Sequence, residues 1–72
     1  MYIKWPTMEE VQKENDRSTL IAIACTCWGH CSMGYKMPEY FGDMMVLIGQ
    51  KIGEVATPTN IAKLADEIIA NK

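Results

Sequence analysis

The most regular pattern of apolar and polar positions lies near the C-terminal end. Ile61, Leu64, Ala65, Ile68 and Ile69 recur every three or four residues, with Asn60, Lys63, Glu67 and Asn71 between them. This is the apolar stripe of an amphipathic helix. Thr57 offers an N-cap and Pro58 a first helical residue that has no N–H to leave unpaired. Near the other end, Thr7-Met8-Glu9-Glu10 matches a capping box and predicts a helix from about Met8 to Asn15, with Met8 and Val11 inward. Before it, Tyr2-Ile3-Lys4-Trp5 is β-prone, predicts a short strand, and is stopped by Pro6.

The middle of the chain reads differently. Asn15-Asp16-Arg17-Ser18 is a polar turn, and Thr19 to Thr26 is apolar on both faces, the pattern of a central strand covered by helices. Strand, helix and strand together predict a right-handed β-α-β unit. Residues 36–56 allow two readings. Tyr40, Phe41, Met44, Met45, Ile48 and Ile52 have helical spacing over 38–52. Alternatively, a helix ends near 45 and Val46-Leu47-Ile48 pairs with Glu54-Val55-Ala56 in a hairpin, with Gly53 left-handed in its bulge. The hairpin is preferred, because the 19–26 strand needs neighbours. The expected fold is therefore α/β, or small α+β. It is one compact domain over residues 1–72, with a short three- to four-stranded sheet and two to three helices.

Composition narrows the function classes. At 72 residues the chain forms one domain with a small core. Its net charge is −2 and Arg17 is its one arginine, so there is no basic stripe to neutralise phosphates and nucleic acid is not an expected partner. The longest apolar run, Leu20 to Cys25, is too short to span a membrane. The N-terminal residues do not resemble a signal peptide, and a cytoplasmic location is expected. Three cysteines, an odd number, argue against a fully paired secreted disulfide framework.

All three cysteines and the one histidine fall within Cys25, Cys27, His30 and Cys31. On the strand reading they form a loop at the strand's C-terminal end, where α/β sheets usually carry chemistry. A helix starting near Cys31 would lower a thiol pKa with its positive end, and His30 would carry protons. Cys27 and Cys31 are the candidate redox pair, with His30 beside them. The same atoms, with Cys25 added, make a Cys₃His set suited to zinc or to Cu(I). Cysteine is also a common buried apolar residue, and Cys25 reads first as an extension of the strand core. Met33, Met37, Met44 and Met45 read as core filler or contact surface rather than copper ligands.

Trp28-Gly29-His30-Cys31 resembles the second half of the Trp-Cys-Gly-His-Cys motif of protein disulfide isomerases, in the thioredoxin-like family. Residues 15–23 are similar to the approach to that family's central strand. Met37-Pro38-Glu39-Tyr40 is similar to the sequence that often follows the motif. Residues 53–72 are similar to its final hairpin strand and helix. The family's CxxC is here CxxxC, and no proline between Pro38 and Pro58 matches its cis-proline. The resemblance implies a truncated thioredoxin-like sheet, with Cys27 and Cys31 at the positions of the two thiols. Two function classes follow. One is a small thiol-cluster protein, active in dithiol/disulfide redox or in soft-metal binding through residues 25–31. The other is a non-catalytic protein-binding adaptor or inhibitor, for example of phage type, with Trp28, Tyr35, Tyr40 and the methionines at its contact surface. A protein partner is expected on either reading.

Overall fold

The computed structural model describes residues 4–71. Four helices follow one another: α1 (Met8–Lys13), α2 (Arg17–Ser32), α3 (Phe41–Ile52) and α4 (Pro58–Ala70). No strand occurs among the described residues. The expected α/β sheet, and with it the truncated thioredoxin-like architecture, is replaced by a small all-helical fold. Tyr2 and Ile3 of the expected first strand lie outside the described residues, and Lys4 and Trp5 are not in a strand.

The decisive element is α2, which covers the whole expected 19–26 strand. Its buried residues are Leu20, Ile21, Ala24 and Cys27, an i, i+1, i+4, i+7 stripe that a helix can turn inward. A strand apolar on both faces needs partner strands and two covering layers. A helix satisfies its own backbone and needs one packed face. The expected polar turn is in fact the helix start. Asp16 is the N-cap, accepting from the Thr19 N–H at 2.9 Å and the Thr19 hydroxyl at 2.8 Å. The Thr19 hydroxyl, then the Thr19 N–H, hold the Asp16 carboxyl below its ordinary pKa. At the other end Gly34 is left-handed, with φ +88°. The Tyr35 N–H donates to His30 O at 3.1 Å and the Gly34 N–H to Cys31 O at 3.0 Å, which closes α2 with a Schellman motif.

The continuous-helix reading of the next segment fits better than the preferred hairpin. Phe41, Met44, Met45, Ile48 and Ile52 form the buried face of α3. Gly53 is left-handed as expected, with φ +77°, but it caps a helix rather than a hairpin bulge. The Gly53 and Glu54 N–H groups both donate to Gly49 O, at 2.9 and 3.2 Å. Gly49 has a separate role. A Cβ there would stand 2.8 Å from Glu54 O, so its bare Cα lets the chain fold back tightly after α3.

The two capped helices are where the sequence puts them. Thr7 Oγ1 accepts from the Glu10 N–H at 3.1 Å, and Thr57 Oγ1 from the Asn60 N–H at 3.3 Å. Val11 is fully buried in α1, and Ile61 and Leu64 anchor α4. The long helix α2 packs against both α3 and α4, while α1 packs against α3. Helix α1 has six residues, too few to persist alone. Lys51 of α3 holds its C-terminal end, with Nζ donating to Val11 O at 2.9 Å, Gln12 O at 2.6 Å and Glu14 O at 2.7 Å.

Candidate functional site

The residues expected to form a chemical loop lie inside the C-terminal half of α2. A helix turns about 100° per residue, so Cys25 and Cys27 point roughly 200° apart. Cys25 is exposed, Cys27 has 0% exposure and Cys31 is partly buried against the core. His30 stands between two aromatic rings, edge-on to Trp5 at 5.0 Å and to Tyr35 at 6.2 Å. Its Nδ1 is buried without a hydrogen-bond partner. Cys25, Cys27, His30 and Cys31 therefore do not converge as a tetrahedral Cys₃His set. No three His, Cys, Asp or Glu side chains gather in metal-holding geometry among the described residues.

The electrostatics also differ from the expectation. Cys31 lies in the last turn of α2, not at a helix start. Burial pushes the Cys27 thiol up to about 11, and the neighbouring Cys31 charge adds to the rise. Cys27 is thus a protonated core side chain at neutral pH rather than a ready nucleophile. Cys27 and Cys31 are four residues apart on adjacent turns. Their Cβ atoms in a helix are about 5–6 Å apart, whereas a disulfide needs roughly 3.5–4.5 Å. Forming that bond requires the last turn to unwind.

The raised Cys27 pKa has a measurable consequence. Its folded value lies above the unfolded one, so its contribution to stability is complete below the unfolded pKa. It is lost as pH rises from about 9 toward about 11. Wild type is expected to lose more stability over that window than Cys27→Ala. Urea melts of both proteins at pH 7.5 and pH 10.5 measure the difference, and equal losses would contradict it.

A second feature was not apparent from cysteine spacing. An apolar groove of about 610 Å³ runs between α3 and the segment joining it to α4. Trp28 of α2 forms one wall, Met45, Val46 and Gly49 come from α3, and Val55, Ala56 and Pro58 close the other side. Glu54 is the charged residue in the lining. Val46 and Val55 are 61% and 68% exposed, although both are large apolar side chains. The Trp28 indole N–H donates to Ala56 O at 2.9 Å, and its ring meets Phe41 edge-on at 5.0 Å. The wall is therefore fixed on two sides.

Of the three expected partner-contact aromatics, Trp28 lines this groove and Tyr35 and Tyr40 do not. Tyr35 packs on His30, and the Tyr40 hydroxyl donates to Pro6 O at 2.7 Å, tying the N-terminal segment to the start of α3. The residues missed were Val46, Gly49 and Val55. Their signal was present: Val46 falls off the buried stripe of α3, and Val55 follows the left-handed Gly53. No described helix is long and apolar enough to cross a membrane. No family model, curated protein or solved structure matches the chain.

Proposed function

We propose that this chain is a non-catalytic protein-binding module that receives an amphipathic helix of a partner protein in the α3–α4 groove. The observation that carries the reading is the pair of exposed valines, Val46 and Val55, flanking a groove of about 610 Å³ with a fixed Trp28 wall. That volume lies within the range of ligand-holding clefts, about 300–1,000 Å³. Large apolar side chains left in water around one concavity mark an interaction site more often than a random surface.

The type of occupant follows from the surroundings. With no strand among the described residues there is no sheet edge for β-augmentation. Proline-rich ligands need an aromatic-lined groove, and here Trp28 is the aromatic in the lining. A helix presenting apolar side chains at i, i+3 and i+4 suits what remains. The charged rim residue is Glu54 and the chain carries −2 overall, so basic residues flanking the apolar stripe complement it.

A leucine–lysine model helix tests this, with a scrambled peptide of equal composition as control. Trp28 fluorescence in a Trp5→Phe background reports binding. Saturable binding is expected for the amphipathic peptide, weakened at least tenfold in Val55→Asp. That variant adds a negative charge, so plain electrostatic attraction would strengthen binding to a lysine-rich peptide. Stronger or unchanged binding by Val55→Asp, equal binding of the scrambled peptide, or no saturable binding would each overturn the reading.

A further inference from the structure

The groove is unevenly filled. Met45, Gly49 and Gly53 follow one another at four-residue spacing along α3 and its cap, so they line one face. Side-chain bulk falls away along that row, from a methionine to two glycines. A Cβ at Gly53 would meet no atom within 4 Å, so the floor there is bare backbone beneath open space. Glu54 is the next residue, exposed and in the lining of the same end. That end combines room for a large side chain, apolar surroundings and one carboxylate at the rim.

We propose that the partner helix anchors itself with a tryptophan, its indole lying over Gly53 and its N–H donating to the Glu54 carboxylate. The proposal rests on the groove being the site of a partner helix, and it adds which side chain that helix must carry. Size is the first argument. An aromatic side chain buries about 150–250 Å² and dominates interface energetics where it finds a pocket. The second is the wall. Trp28 is committed to Ala56 O through its N–H and to Phe41 through its ring, so it stays in place rather than filling the gap itself. An incoming ring meets a fixed aromatic partner, and Met45 adds a thioether that packs well at ring edges.

Charge selects among the aromatics. A ring is negative on its face and positive along its edge. The Glu54 carboxylate therefore repels the face and attracts the edge. Phenylalanine brings the edge without a hydrogen-bond donor. Tyrosine carries its donor at the far tip of the ring, which a side chain entering tip-first places at the apolar floor. The indole N–H lies on the five-membered ring, close to the stem, and so stays near the rim where Glu54 stands. A carboxylate has about four acceptor sites. Bonding the indole leaves capacity for the basic residues that flank the apolar stripe.

The test is isothermal titration calorimetry of the full chain with the leucine–lysine helix and with guests in which one central leucine becomes tryptophan, tyrosine or phenylalanine. The tryptophan guest is expected to bind about tenfold more tightly than the leucine parent and about fivefold more tightly than the other two guests. Glu54→Ala changes an exposed position outside the helices and weakens attraction to the lysines of every peptide alike. It is expected to bring the tryptophan and phenylalanine guests within about twofold of each other. NMR contacts are expected to join the indole to Gly53. A leucine parent as tight as the tryptophan guest, a tryptophan advantage unchanged by Glu54→Ala, or an indole found at the Met45 end would each overturn the proposal. Saturable binding by the parent would still leave the groove reading standing. No saturable binding by any of the four peptides would overturn both.

Discussion

Replacing Lys51 with methionine is expected to lower stability by about 2–3 kcal/mol, a fall in Tm of roughly 10–20 °C for a domain of this size. Methionine keeps the length and apolar character of the stem and removes only the ammonium. That ammonium donates to Val11 O, Gln12 O and Glu14 O, all at the C-terminal end of α1. A helix end leaves its last carbonyls without intrahelical partners, and a cation there also complements the dipole. Hydrogen bonds to charged groups contribute about 1.5–3 kcal/mol each. The three share one partly exposed ammonium, so they do not add. Lys13→Met provides the contrast, because the Lys13–Glu9 pair at 2.8 Å is exposed on both sides and such pairs contribute about 0.3–0.5 kcal/mol. Thermal melts of the two variants make the comparison. Hydrogen exchange of the Val11 amide, whose N–H donates to Thr7 O at 3.2 Å, locates the effect. A Lys51→Met melt close to that of Lys13→Met would mean that water replaces the ammonium at little cost.

The parts of the fold legible in the sequence were those with local punctuation. Thr7 and Thr57 cap, Pro58 opens, and the spacing from Ile61 to Ile69 turns one face inward. These signals act over three or four residues and need no knowledge of the rest of the chain. The segment 19–26 failed for a physical reason. Apolar residues stand around the whole circumference of α2, so the helical stripe of Leu20, Ile21, Ala24 and Cys27 is hidden among Ala22, Ile23 and Cys25. The β-branched residues Thr19, Ile21, Ile23 and Thr26 then favour the strand on propensity alone. The overlooked clue was Asp16 three residues before Thr19, which is an N-cap arrangement as much as a turn. Once α2 is a helix, the 46–56 hairpin loses its reason, since no strand remains for it to pair with.

The clustering of candidate donors was legible in the sequence, whereas the backbone that carries them was not. Clustering of Cys25, Cys27, His30 and Cys31 is a fact of the sequence, but whether four donors converge depends on the rise and turn of the backbone that carries them. A loop leaves each donor free to turn toward a common centre. On a helix Cys25 is turned away, and only Cys27 and Cys31 remain on one face. The groove was illegible for a different reason. It forms where residues from α2, α3 and the following segment meet, and Trp28 lies 28 positions from the Ala56 carbonyl that fixes it. Contacts at that separation leave no periodic trace.

That long-range tie makes Trp28 the position where stability and binding are most tightly joined. Trp28→Ala is expected to cost about 3 kcal/mol, the lower end for a tryptophan truncation because the ring is only partly buried. A 72-residue domain has roughly 4–11 kcal/mol in total, at about 0.05–0.15 per residue. The variant should therefore remain folded but marginal. Trp28→Phe separates the two contributions of the side chain. It keeps an aromatic body against Phe41 and removes the N–H that Ala56 O accepts, a loss of about 1 kcal/mol. Urea denaturation followed by circular dichroism, rather than by fluorescence, ranks wild type, Trp28→Phe and Trp28→Ala in that order. Peptide titrations followed by NMR should show both variants binding more weakly, with Trp28→Ala the worse because an entire wall of the groove is gone. If Trp28→Ala costs less than about 0.5 kcal/mol, within the scatter of an ordinary surface change, the indole does not hold the 54–57 segment. The groove would then be a feature of one backbone arrangement rather than a built site.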